Sequence, residues 1–286
     1  MFWQHLEVRL FLDKKKIIQL RDVSFEYITN ETVLKDINLD IYSGEKLVIL
    51  GANGSGKSSL QKILNGLIFP SKGEYRAFGQ LVTEETLNDE QFALAFRQRI
   101  GFIFQNSDAQ LFSTNVWEEI AFGPLQMKLS FKEVNDRVNG VIQMLNLEPL
   151  KDRPPYRLSG GEKKKVAIAS VLSMNPEVLI LDEPTSGLDP RTQRWLINLL
   201  VELNNAGKTL ITCTHNLDIV EEIADRVIVF NEEHNIVAEG SPQDILSNKE
   251  LLLSVNLIDE HYHRHVHEFD PSEHHNHNHN HSHSHE

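Results

Sequence analysis

The chain has 286 residues, 40% of them hydrophobic, with 41 acidic against 28 basic side chains and a formal net charge of −13. That length allows one or two domains with a large buried core, and the acidic balance argues against a nucleic-acid partner, which Lys and Arg must neutralise. A single cysteine, Cys213, excludes an internal disulfide and fits a reducing cytoplasm.

Residues 1–16, MFWQHLEVRLFLDKKK, place their lysines after the apolar residues, and Glu7, Arg9 and Asp13 interrupt them. The segment therefore does not read as a signal peptide and is taken as an N-terminal extension. No run of about 18 apolar residues follows anywhere, so any membrane role comes through a partner. Strands are predicted over Ile17–Tyr27 and again before KLVIL, a short continuous apolar run suited to a parallel strand buried on both faces. The glycine-rich stretch GANGSGKSSL comes next, then Leu60, Ile63, Leu64 and Leu67 at helical spacing. From about Asn88 to Leu158 helix-like pieces dominate, with Val134, Val138, Val141, Ile142 and Leu145 on one face. EVLILDEP is a further buried strand, TQRWLINLLVELNNAG an amphipathic helix, and TLITCTH a strand in which Cys213 is expected to be a core thiol. DRVIVFNEEHNIVAEG reads as two strands around a polar turn. This alternation predicts an α/β fold with a largely parallel sheet. Beyond about Ile258 almost nothing apolar remains, and residues 259–286 are expected to be a disordered, histidine-rich tail.

The glycine-rich stretch matches GxxxxGK[ST] through Gly51, Gly56, Lys57 and Ser58. Between a strand and a helix, such a loop wraps phosphates with its backbone amides and offers them a positive helix end. Asn53, Gly54, Ser55 and Ser59 complete the cradle, Lys57 reaches the β- and γ-phosphates, and the Ser58 hydroxyl ligates Mg²⁺. Asp182 and Glu183 follow a buried strand whose carboxyl end faces ligands in parallel sheets. Asp182 suits Mg²⁺, and Glu183 suits polarising the attacking water. Ser159, Gly160 and Gly161 precede another helix. Taken alone they are an ordinary N-capped start; together with the loop they offer a second phosphate-binding helix end. A head-to-tail pair of chains would bring the two ends onto each triphosphate, twice by symmetry.

The chain resembles the ATP-binding subunits of ABC transporters over about Ile17–Ile258. GANGSGKS resembles the Walker A motif, LSGGE the ABC signature and VLILDEP the Walker B motif. The resemblance implies a P-loop ATPase core with an antiparallel β portion and an inserted helical subdomain, spanning residues 17–258, with helical subdomain and signature within about 88–165. It implies ATP and Mg²⁺ as cofactors. It also makes Gln105 the Q-loop glutamine at the Mg²⁺ or lytic water, Asp189 part of the D-loop, His215 the switch histidine and Tyr27 the aromatic on adenine. Core packing is the competing reading for Tyr27, and a satisfied core histidine or a metal ligand for His215. Two positions depart from the commoner pattern, Glu162 where Gln is usual and Lys165 where Arg is common. Neither removes a phosphate-binding amide, although lysine lacks the bidentate geometry of arginine.

IGFIFQNSDAQLFSTNVWEEIAFGPLQMKLS resembles a narrower group, importers of the energy-coupling-factor type, including cobalt, nickel and vitamin uptake ATPases. This implies a permease subunit, a substrate-binding membrane component, a second ATPase subunit and a peripheral position on the cytoplasmic face of the membrane. Eleven of the 14 histidines lie between His261 and His285. Imidazole favours Ni²⁺, Co²⁺, Cu²⁺ and Zn²⁺, so His275, His277, His279, His281, His283 and His285 are candidate ligands, against an inert tail or a tag. Nickel or cobalt is the expected cargo and a vitamin the alternative. A soluble, non-transport ATPase of this type would call for paired cassettes, a coiled-coil insertion or a basic surface, none of which is evident.

Overall fold

The computed structural model describes residues 15–27 and 31–259. The chain begins with β1 (Lys16–Glu26) and β2 (Thr32–Tyr42), paired antiparallel, and then enters a second sheet through β3 (Lys46–Leu50). After α1 (Lys57–Leu64), strands β4 (Lys72–Ala77) and β5 (Gln80–Leu81) complete the first sheet in the order β2-β1-β4-β5. Helices α2 (Glu84–Asn88) and α3 (Glu90–Arg99) lead to β6 (Ile100–Ile103), and three helices follow: α4 (Val116–Gln126), α5 (Phe131–Met144) and α6 (Gly160–Leu172). The chain then runs through β7 (Val178–Asp182), α7 (Pro190–Asn205), β8 (Thr209–Thr214), α8 (Val220–Ile223), β9 (Arg226–Phe230), β10 (Ile236–Gly240), α9 (Pro242–Ser247) and α10 (Lys249–Ser254). The second sheet has the order β10-β9-β3-β8-β7-β6 and is parallel except for β10.

Two cores explain why KLVIL is apolar throughout. Leu47 and Ile49 pack with Ile18, Leu20 and Leu39 of the antiparallel sheet, whereas Val48 and Leu50 pack toward the helical side with Val116, Ile120, Val138 and Val166. Side chains alternate across a strand, so a strand covered on both faces needs no polar positions. Each such burial contributes about 1.5–3 kcal/mol before entropy is counted. Cys213 is fully buried in the core beneath the antiparallel sheet, where desolvation pushes its thiol well above its ordinary range.

The helical region starts each element with a side-chain cap. Asn115 accepts the amide of Glu118 at α4, and Ser130 and Glu133 cap one another reciprocally at α5. The buried stripe of α5 is Val134, Val138 and Ile142, one helical turn apart, and α4 packs against both α5 and α6. Within residues 88–165 helices predominate, β6 is a strand of the parallel sheet leading to Gln105, and α6 runs to Leu172. No helix among the described residues is long and apolar enough to cross a membrane.

Strand order now positions the chemistry. The carboxyl ends of the neighbouring strands β3, β8, β7 and β6 carry, in turn, the Gly51 loop, His215, Asp182 with Glu183, and Gln105.

Candidate active site

Helix α1 starts at Lys57 with Gly56 as its N-cap and no side-chain acceptor on its first amides. Among the described helices of eight residues or more, each of the others has such an acceptor. A bare helix start concentrates partial positive charge and unsatisfied N–H groups, which is what a phosphate requires. Gly56 has φ +105°, and a Cβ there would lie 2.4 Å from the Val33 carbonyl oxygen. Only glycine lets the loop curl this tightly against β2.

The cleft above the loop, of about 260 Å³, is lined by Asn53, Gly54, Gly56, Lys57, Ser58, Ser59, Gln105, Asp182, Glu183 and His215, with Val33 at one edge. Lys57 is 7% exposed, and its Nζ donates to the carbonyls of Gly51 at 2.7 Å and Ala52 at 2.9 Å. Burial lowers its pKa, against the opposing pull of the thiol and carboxylates nearby. Burial, reinforced by Glu183, raises that of Asp182. A cation beside Asp182 would relieve its penalty, and an anionic polyphosphate that of Lys57. The donor set suits Mg²⁺: hard oxygens from Ser58, Asp182 and Gln105, few enough to leave positions for water and phosphate. Ser55 Oγ, in the same loop, is buried without a hydrogen-bond partner among the described residues. The bare helix start, the glycine cradle and this orphaned hydroxyl all fit a phosphate chain.

Glu183 is 7% exposed and holds a left-handed backbone, φ +40°. Such a conformation is costly for a side-chain-bearing residue and collects at functional sites. Its Oε2 accepts from Thr214 Oγ1 at 3.0 Å, and its Oε1 lies 2.7 Å from His215 Nδ1. A carboxylate only accepts, so Nδ1 carries the proton and Nε2 is the ring nitrogen left for another partner. The His215 side chain is 56% exposed, so that nitrogen is reachable. The contact couples the expected water-polarising carboxylate directly to the expected switch histidine, a pairing that sequence does not reveal.

The remaining expected residues lie elsewhere. Ser159 caps α6, with its amide and hydroxyl both donating to Glu162 Oε2 at 2.8 Å. Those bonds hold the Glu162 carboxyl below its ordinary range. The amides of Gly160 and Gly161 have no protein acceptor among the described residues. Asp189 caps α7, accepting from Arg191 N, Thr192 N and Thr192 Oγ1. None of Ser159, Gly160, Gly161 and Asp189 lines the cleft. Tyr27 is 40% exposed, stands edge-on to Phe25, and its hydroxyl lies 3.4 Å from Ser59 Oγ. That puts its ring beside the cleft rather than in its wall. Gln105 reaches Ser186 Oγ at 3.5 Å. Lys165 extends over the Trp195 ring, 4.7 Å from its centre, a contact that asks only for a cation. His275, His277, His279, His281, His283 and His285 fall outside the described residues, and among the described ones no cluster of three or more metal-binding side chains occurs.

Sequence reading missed Lys164. It is 2% exposed, and its Nζ donates to the carbonyls of Phe104 at 3.0 Å and Gln105 at 3.3 Å. With Lys163 on Asp108 and Gln110 Nε2 on Ala167 O, α6 grips the segment around Gln105 at three points. Burial brings the Lys164 ammonium down to about 8. The available signal was helical phase, since Lys164 lies one turn before Ile168 on the inner face.

A family profile described as ABC transporter matches residues 34–186. The chain is 45% identical over 243 residues to a nickel import ATP-binding protein of Rhodobacter capsulatus, covering 84% of this chain and 95% of that one. Among solved structures, cbiO1 of Clostridium perfringens, part of the ABC transporter complex cbiONQ, superposes with a TM-score of 0.74 at 39% identity, covering 85% of this chain and 96% of the other. The ATP-binding cassette MJ0796, solved as a dimer in a post-hydrolysis state with ADP and Pi, superposes with a TM-score of 0.71 at 29% identity, covering 79% and 99%.

Proposed function

The chain belongs to the ABC transporter family, and from that premise we propose that it is the ATP-hydrolysing subunit of an importer for nickel or cobalt ions. The observation that carries the reading is the division of the phosphate-binding elements. One cleft gathers Lys57, Ser58, Gln105, Asp182, Glu183 and His215, while Ser159, Gly160, Gly161 and Asp189 stay outside it. A second copy, turned head to tail, completes each site with its own α6 amides, and a two-fold pair makes two complete sites.

In this reading the loop amides and Lys57 hold the β- and γ-phosphates, and Tyr27 stacks on the base. Ser58, Asp182 and Gln105 would hold Mg²⁺, which would supply neutralisation of the charge developing on the transferred phosphoryl group. Glu183 orients the attacking water and accepts its proton, while His215, bonded to Glu183 through Nδ1, accepts from that water through Nε2 or, when doubly protonated, donates to the γ-phosphate. Nucleotide touches both copies only when they are closed, so its binding favours closure and its hydrolysis releases it. A membrane-embedded permease, with a substrate-binding membrane component, converts that motion into transport from the cytoplasmic face.

Support for the cargo comes from the nickel import relative and from the eleven histidines between His261 and His285. Neutral imidazoles at that density suit Ni²⁺ and Co²⁺. The test is uptake of radioactive nickel and cobalt by cells expressing the chain with its membrane components. Uptake should vanish in the Glu183→Gln variant, and uptake independent of that residue would contradict the reading. Calorimetric titration of Ni²⁺ into the full chain and a variant ending at Ile258 isolates the tail. Equal binding by both would remove the tail from the account.

A further inference from the structure

Gln61 is a polar side chain that packing alone would not place where it sits. It lies in α1 between Leu60 and Ile63, and all three are 0% exposed. Its Nε2 donates to the main-chain carbonyl of Leu181 at 3.0 Å, a bond buried at both ends. Its Oε1 is buried with no hydrogen-bond partner among the described residues. An unpaired buried oxygen lowers stability relative to an apolar side chain of the same shape, so the bond's value lies in what it joins.

It joins the two elements that supply the proposed Mg²⁺ ligands. Ser58 is three residues before Gln61, on the same side of the helix. Asp182 follows Leu181 directly at the end of β7. Lys57 and Lys62 of α1 also attract the Asp182 carboxylate, but a charge attraction is non-directional and tolerates sliding. A directional bond fixes the rise of the helix against the strand. We propose that Gln61 is a positioning residue that holds Ser58 and Asp182 at the separation a hydrated Mg²⁺ requires. This rests on the Mg·ATP reading above and goes beyond it by giving a role to a residue outside the cleft lining.

The experiment compares the full-length protein with its Gln61→Met and Gln61→Leu variants, which keep the volume approximately and remove the bond. A fluorescent, nonhydrolysable ATP analogue is titrated in EDTA, and Mg²⁺ is then titrated at fixed analogue. Groups that orient metal ligands typically change metal affinity about 10–100-fold. One step further out, the Mg²⁺ concentration at half-effect should rise about tenfold, with analogue affinity in EDTA within twofold of wild type and a melting temperature no lower. Unchanged Mg²⁺ dependence in both variants overturns the proposal. So does an equal loss of affinity with and without Mg²⁺ alongside a lowered melting temperature, which makes Gln61 a packing residue. A wild-type protein whose nucleotide affinity ignores Mg²⁺ instead sinks the parent reading, so the two failures are distinguishable.

Discussion

Replacing Glu183 by Gln should separate holding the nucleotide from spending it. Gln has the same shape, keeps an oxygen that can accept from Thr214 Oγ1, and loses only the charge and the capacity to take a proton. His215 Nδ1, now facing an amide, can adapt by choosing its tautomer. Exchanging a charged acceptor for a neutral one weakens those bonds by about 1 kcal/mol, so the melting temperature should fall by about 2–4 °C. Removing a positioned general base costs about 10²–10⁴ in rate, or roughly 3–5 kcal/mol on the barrier. The phosphate cradle of Gly51–Ser59 is untouched, so nucleotide affinity should stay within about twofold by the same reasoning. Phosphate release measures turnover, analogue fluorescence measures binding, and gel filtration with ATP detects the arrested dimer. Turnover within threefold of wild type, with normal binding, would refute the role assigned to Glu183.

Gly56→Ala places a Cβ 2.4 Å from the Val33 carbonyl at φ +105°; the left-handed penalty alone is about 1–2 kcal/mol. Both melting temperature and analogue affinity should therefore drop, and retention of both would refute the close approach. Glu162→Gln removes a carboxylate held ionised at the start of α6, where a second copy's nucleotide is to arrive. Charge effects at helix ends of about 0.3–1 kcal/mol imply ATP-driven dimerisation tighter by about two- to fivefold; weaker dimerisation by light scattering would contradict this. Lys164 titrates near 8 in the folded chain, below its ordinary 10.5. Between those values the unfolded chain binds more protons, so stability rises as pH climbs from about 8 toward 10.5. Relative to Lys164→Met, wild type should gain melting temperature between pH 7 and pH 9.5, and a constant difference would overturn the assigned burial.

What was readable in advance follows from chemistry that fixes both residue type and spacing. A phosphate loop needs Gly56 where a Cβ collides, Lys57 within reach and a helix behind it, so the segment is legible from ten residues. Buried parallel strands show as apolar runs, which exposed β3, β7 and β8. The rest depends on which elements become neighbours. The bond between Glu183 and His215 joins residues 32 apart and exists because β7 lies beside β8. Lys164 sits among three consecutive lysines that read as a solvated face, and only the rotation of α6 against the Gln105 segment buries it. The reciprocal cap of Ser159 and Glu162 was also legible, since their S-x-x-E spacing before an apolar run is its sequence signature. Gln61 gave no signal, because a lone glutamine in an apolar helix face has no spacing to recognise.

The most direct test of the account is the distance between the loop of one copy and the signature helix of another. Asn53→Cys and Ser159→Cys variants, purified separately, can be spin-labelled with little interference, since Cys213 is fully buried. Mixed in equal amounts and measured by pulsed dipolar spectroscopy, the labels should show a short inter-chain distance that appears with a nonhydrolysable ATP analogue and Mg²⁺ and disappears without them. Bound nucleotide with no coupling between the labelled chains would contradict the head-to-tail site on which the proposed function rests.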